Sequence, residues 1–155
     1  MKVLLALDDS SHSALALENV LARPWTADTQ FMVLTVLEPF HPDFAGWEIS
    51  AVDQAMAYAE RQKADAGKYA SVCAAKLSEK FGGERVSFES LEGRIKETII
   101  QAAIDWQADL LIMGSHGRTG IERFLLGSVS QAVVSHAPCS VEIVKKKGHQ
   151  EASGA

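Results

Sequence analysis

Leu110-Leu-Ile-Met-Gly114-Ser-His-Gly117-Arg-Thr-Gly-Ile-Glu-Arg-Phe-Leu-Leu-Gly127-Ser-Val-Ser130 decides the reading of this chain. An apolar run of strand length passes into a glycine-rich loop, and the loop passes into the start of a helix. Gly114, Gly117 and the pair Gly127-Ser128 give the spacing Gly-x-x-Gly-x9-Gly-Ser. Glycine tolerates positive φ and lets a ligand come close to the main chain, so such a loop can turn its N–H groups on an anion. A helix opening near Ser128 adds unsatisfied N–H donors and the positive end of its dipole. The expected ligand is the phosphate of a nucleotide. The loop is not a Walker P-loop, since no Gly-Lys-Ser/Thr follows, and it lacks the close Gly-x-Gly-x-x-Gly spacing of a dinucleotide fingerprint.

Outward from this stretch, strands and helices alternate. Val3–Leu7 is an apolar run suited to a strand buried on both faces. Ser10 or Ser11 can cap a helix carrying Ala14, Leu17, Val20 and Leu21, with Pro24 beyond its end. Phe31–Leu37 reads as the second strand, and Glu38–Ile49, with Pro39, Pro42 and Gly46, as a loop. Ser50 with Asp53 resembles a capping box. The long helix that follows places Val52, Met56, Ala59, Ala66, Cys73, Leu77 and Phe81 on one stripe, with Lys63 and Ala70 filling the gaps, and ends at Gly82-Gly83. Arg85–Leu91 reads as a strand, then a helix from Gly93 turns Ile95, Ile99, Ala102 and Trp106 inward. Asp109–Met113 is the fourth strand. The helix from about Ser128 buries Val129, Ala132 and Val133 and stops at Pro138. Cys139–Lys145 is the fifth strand, and Gly148–Ala155 a frayed tail. The alternation predicts an α/β fold, a parallel sheet with helices on both faces. In such sheets ligands bind beyond the carboxyl ends of the strands where strand order switches, which puts Asp8 and Gly114 at one edge if strands one and four are neighbours.

Composition narrows the function. The 155 residues suit one domain, expected as residues 1–147 with the tail at 148–155. A net charge of -5 gives no general attraction to nucleic acid or to an anionic membrane, so any anion site is local. The two cysteines, Cys73 and Cys139, read as small buried hydrophobes in a reducing cytoplasm. Met1–Leu7 is too short for a signal peptide and has no cleavage pattern, and no run spans a bilayer.

Other candidate groups have bland alternatives. Asp8 and Asp9 follow strand one; a carboxylate there can bond a ribose or base edge, or hold magnesium indirectly, or simply favour a helix start. For Asp8 its position favours the ligand, and for Asp9 the helix start. Arg118 and Arg123 bring guanidinium groups that suit phosphate, and equally suit a solvated loop. Ser115-His116 is no nucleophile and base, because adjacent residues seldom face each other. His12, His41, His136 and His149 lack metal-ligand spacing and read as surface or capping residues. Phe40, Phe44 and Trp47 are expected to fold back on the core.

These residues together resemble the universal stress protein family, in its ATP-binding branch. The resemblance runs over nearly the whole chain: Val3-Leu-Leu-Ala-Leu-Asp-Asp-Ser10, Val33-Leu-Thr-Val36, Leu91-Glu-Gly93, Met113-Gly-Ser-His-Gly117, Leu126-Gly-Ser-Val-Ser130 and His136-Ala-Pro-Cys139. It implies a three-layer α/β/α fold, Rossmann-like and similar to the adenine-nucleotide alpha-hydrolases, with five parallel strands in order 3-2-1-4-5. It implies ATP, ADP or AMP, with Mg2+, as the bound group. Ala6, Leu7, Asp8, Val36, Met113 and Gly114 would surround the nucleoside; Ser115, His116, Gly117, Gly127, Ser128, Val129 and Ser130 would hold the phosphates, joined by Arg118 from the loop chemistry above. It also implies a homodimer through the last strand, Cys139 to Lys145. Asp9 stands where many members carry glycine, and Thr35 where many carry histidine.

The expected role is a cytoplasmic regulatory switch that answers stress through nucleotide-dependent conformation or choice of protein partner. Two alternatives stand beside it. One is a slow ATPase, with His116 or Asp8 as its candidates; the loop offers no catalytic lysine, and phosphoryl transfer needs a placed nucleophile and charge stabilisation. The other is a dimeric interaction module whose nucleotide is incidental. An adenylyl transferase is disfavoured, since neither His-x-Gly-His nor Lys-Met-Ser-Lys-Ser occurs.

Overall fold

The computed structural model describes residues 1–40, 43, 45–117 and 126–146. Five strands, β1 (Lys2–Ala6), β2 (Gln30–Leu37), β3 (Val86–Glu92), β4 (Leu110–Gly114) and β5 (Ser140–Val144), form one sheet. Its order is β3-β2-β1-β4-β5, with every pair parallel. The helices are α1 (Ser11–Ala22), α2 (Ile49–Phe81), α3 (Ile95–Asp105) and α4 (Ser128–His136). Strand order therefore switches between β1 and β4, as the family resemblance implies.

The period-two geometry of strands sorts the core into two layers. Val3, Leu5, Phe31, Val33 and Ile112 face one side with Ala16, Leu17 and Val20 of α1 and Ala70, Cys73, Ala74 and Leu77 of α2. Leu4, Ala6, Met32, Leu34, Val36, Leu111 and Met113 face the other with Ile99, Ala102 and Ala103 of α3 and Val133 of α4. Consecutive apolar residues in β1, β2 and β4 thus serve both layers. Phe31 stacks on Phe81 (4.8 Å between centroids) and meets Trp25 edge-on.

Helix α2 departs from the sequence reading. Its 33 residues span ~50 Å, yet no residue before Ala66 is buried. Met56, expected on the core stripe, is 50% exposed, and Ile49 is 82% exposed. The front half of α2 overhangs the carboxyl end of the sheet. Periodicity reports that a helix has an apolar stripe, but not where its neighbour stops. The Ser50–Asp53 capping box is also corrected: the helix begins at Ile49 and its cap, Glu48, makes no side-chain bond. The rear end is as read, with Gly82 at φ 98° taking the conformation that favours glycine. Phe40 and Trp47 are 44% and 46% exposed rather than folded onto the core; Phe44 lies outside the described residues. Cys73 is buried and Cys139 partly so, both as free thiols, and burial pushes both thiols up from their ordinary value. Among the described residues no helix is long and apolar enough to cross a membrane.

Candidate functional site

The switch point opens into a cleft of about 1150 Å³. Its walls come from the ends of β1, β2, β3 and β4, the N-terminus of α4 and the overhanging half of α2.

At the β1 end, Asp8 is held by the first turn of α1. Its Oδ1 accepts from the Ser13 hydroxyl (2.7 Å) and the Ser10 N–H (3.1 Å), while its own N–H donates to Ser13 Oγ (2.9 Å). Ser10 caps α1 by accepting from the Ser13 N–H. The helix-start reading of Asp8 is therefore real, and it coexists with a place in the cleft wall. Asp9 is exposed and lies outside that wall. The hydroxyl of Tyr69 is pushed up from its ordinary value, first by burial, then by Cys73 and by the charges of Asp8 and Asp9, so the β1 end carries its negative charge beside a neutral phenol.

The β2 end offers backbone. β2 outruns β1, whose last bond to it runs from the Leu7 N–H to the Leu34 carbonyl (2.9 Å). N–H and C=O of one residue point the same way and alternate along a strand, so Leu37 faces β3, where its carbonyl accepts from the Gly93 N–H. Val36 consequently turns its N–H and C=O into the space that β1 vacates. It lines the cleft there, presenting one donor and one acceptor as an edge that a planar base can match.

At the β4 end the glycines act through close approach. Neither Gly114, Gly117 nor Gly127 has a positive φ, which corrects that part of the sequence argument. A Cβ on Gly114 would stand 2.7 Å from the carbonyl carbon of His12, and one on Gly117 3.0 Å from Asp8 Oδ2. The Gly127 N–H donates to the Ser115 carbonyl (2.8 Å), folding the helix start back onto the loop. Gly127 is the N-cap of α4, and among the described residues no side chain caps that helix. Ser128 is therefore not the cap; it begins the helix, exposed. The first turn of α4 lines the cleft, and a helix start offers N–H donors and a dipole end that favour an anion.

Of the residues expected to bind, Ala6, Leu7, Asp8, Val36, Met113, Gly114, His116, Gly117, Gly127, Ser128, Val129 and Ser130 all line this one cleft. Ser115 does not: it is 3% exposed, its N–H donates to the Val144 carbonyl and its hydroxyl meets His116 Nδ1 at 3.1 Å. The Ser130 hydroxyl is spent on the Gly114 and Ser115 carbonyls (3.0 and 3.1 Å), so it fastens α4 to the loop and leaves only its N–H for a ligand. Arg118 and Arg123 lie outside the described residues.

Sequence reasoning missed the far wall. Met56, Tyr58, Ala59, Glu60, Gln62 and Lys63 of α2 line the cleft with Phe40, Glu92 and Ile95. Lys63 bridges to Glu92 (3.0 Å), which raises the lysine from its ordinary value. The clue was Lys63 itself, a charge on an otherwise apolar stripe. His12, read as a surface or capping residue, is half-buried in the first turn of α1, its ring 5.2 Å from that of His116 between centroids.

Residues 1–145 match the profile of the universal stress protein family. The chain belongs to the universal stress protein family. A universal stress protein of Thermus aquaticus, from the QAH/OAS sulfhydrylase 3′ region, is 33% identical over 145 residues, covering 92% of this chain and 97% of that one. The solved structure of the hypothetical protein MJ0577 superposes with a TM-score of 0.77 at 27% identity, covering 95% of this chain and 96% of the other. A universal stress protein family member from Arabidopsis thaliana, solved with AMP bound, shares the fold at a TM-score of 0.62 and 18% identity, over 96% of this chain and 93% of that one.

Proposed function

We propose that this universal stress protein binds an adenine nucleotide, ATP or AMP, across the β1/β4 switch point and works as a nucleotide-dependent regulatory switch. One observation carries the reading: the N-terminus of α4, the glycine-edged loop and the outward-turned backbone of Val36 share a single cleft. The first two suit phosphates, and Val36 suits a base. Asp8, between them, suits a ribose hydroxyl. The AMP-bound Arabidopsis relative supports an adenine nucleotide as the ligand class.

Magnesium fits as a companion of the phosphates. Among the described residues no group of three or more His, Cys, Asp or Glu could hold a metal, and magnesium prefers few carboxylates plus phosphate and water. Asp8 is the carboxylate that would face it, and the ion would supply neutralisation of phosphate charge. The switch reading draws on α2: a ligand in the cleft touches a helix half that buries no residue before Ala66, so occupancy can alter the outer surface. Self-association through β5 completes the proposal, since β5 is a sheet edge.

Thermal melting against a nucleotide panel tests this. A ligand at 100 times its Kd adds ~2.7 kcal/mol, which raises the Tm of a domain this size by roughly 5–10 °C. ATP or AMP should give that shift and pyrimidine nucleotides far less. No shift with any nucleotide defeats the proposal.

A further inference from the structure

We infer that the free edge of β3 docks a basic, extended segment of a partner protein, which adds a further strand to the sheet. The inference stands apart from the nucleotide cleft and does not depend on it.

The sheet has two edges, and β3 is the one opposite β5. Gly93, just past β3, donates its N–H to the Leu37 carbonyl of β2 (2.9 Å). By alternation, Ser87, Glu89 and Leu91 turn their main chain to β2, while Phe88, Ser90 and Glu92 turn theirs away from it. The Val86 N–H is taken by the Gly83 carbonyl, so the open stretch begins at Phe88. Residues Ser87 to Ser90 are all exposed, and no proline interrupts the strand. An exposed strand with outward N–H and C=O groups is the template that strand addition uses.

Both faces beside this edge offer apolar surface. On the α3 face lies a hollow of about 260 Å³, walled by Met32, Leu91, Ala102 and Trp106, with Glu89 and Asp105 among its lining. Small-molecule sites run to ~300–1,000 Å³; this one is smaller and suits a side chain. Gln101 holds Asp105 in place by donating to its Oδ1 at 2.8 Å. On the other face Phe88, paired with Val33 of the α1/α2 layer, is 50% exposed.

Charge selects the occupant. Among the described residues the hollow is lined by two carboxylates and no cation. Lys2, beside the Trp106 ring, is already bonded to the Trp106 carbonyl (3.1 Å). A second copy of this chain would bring the same Glu89 and a net charge of -5, which repel. A partner strand with an apolar residue and a Lys or Arg two positions on sets both side chains on one face, ~7 Å apart. The first fits the hollow and the second meets Glu89 or Asp105. A charge that merely guards an edge disfavours every incoming strand, whereas a docking charge favours the opposite sign.

The probe is a capped peptide repeating Leu-Thr-Lys-Thr, compared with the same peptide carrying Glu for Lys, in NMR titrations of the full chain at low salt. The lysine peptide should bind at least about fivefold more tightly, and its saturation should slow exchange of the Ser90 amide at least about tenfold. Glu89→Lys, on an exposed side chain, should invert the preference between the two peptides. Ser90→Pro removes an outward donor and no bond to β2; it should weaken the lysine peptide at least about tenfold with circular dichroism unchanged. A preference that survives Glu89→Lys, absence of binding, or protection confined to the β5 edge overturns the inference. Sedimentation showing a dimer that Ser90→Pro dissolves would also overturn it, by making a second copy the occupant.

Discussion

A methyl group at Gly114 would press on the His12 main chain at 2.7–2.9 Å, whereas one at Gly117 would meet only the end of the Asp8 side chain at 3.0 Å. The two glycines should therefore fail differently. Gly114→Ala forces α1 away from β4 and should cost about 1–3 kcal/mol, the usual scale of overpacking, seen as a lower urea midpoint. Gly117→Ala should leave that midpoint nearly unchanged and weaken ATP binding at least about tenfold, as expected where backbone must approach phosphate. Equal loss of stability in both would show that the loop is a packing element first. The importance of both positions was legible, because glycine spacing between a strand and a helix is a local signal. His12 was not legible: its partner lies far along the chain, and only the strand order brings them together. Nor could the sequence show that the Ser130 hydroxyl is committed to two carbonyls.

At the scale of elements, strand placement was readable because β1, β2 and β4 are apolar on both faces, a pattern that a doubly covered parallel sheet demands. The long helix was readable as a helix and misread as a uniform one. Ala66, Ala70, Cys73, Ala74 and Leu77 anchor its rear, while its front is tied to the sheet through the exposed Lys63–Glu92 pair, an interaction worth little in water. Few buried contacts mean low local stability. Hydrogen exchange should find amides from 52 to 63 exchanging at least about tenfold faster than those from 70 to 77, with ATP slowing the first group. Uniform protection in the nucleotide-free protein would contradict this picture, and a front half indifferent to ATP would remove it as the moving part.

For the molecule as a whole, the alternation of elements fixes a layered α/β architecture, but the order of the strands came from family resemblance; no local pattern tells β3 from β5 as a neighbour of β2. That order leaves β5 at an edge. Val144 directs its carbonyl to Ser115 across β4, so Val141 and Ile143, of opposite parity, turn their N–H groups outward, where a second copy can pair. Val141→Pro removes one outward donor and none from the β4 ladder. Sedimentation should show a dimer for the unaltered chain and a monomer for the variant, with circular dichroism unchanged; two species of equal mass would exclude this edge as the seam.

Arg23, at the rear end of α1, grips Glu142 through both terminal guanidinium nitrogens. That clasp joins the end of α1 to β5, whose last residue, Val144, is bonded to Ser115 at the end of β4. Two bonded contacts therefore lie between the outer edge of the sheet and the residue that precedes His116 in the cleft wall. A subunit seam mounted on that edge would sense the filling of the crevice, and by reciprocity would adjust how readily the crevice fills.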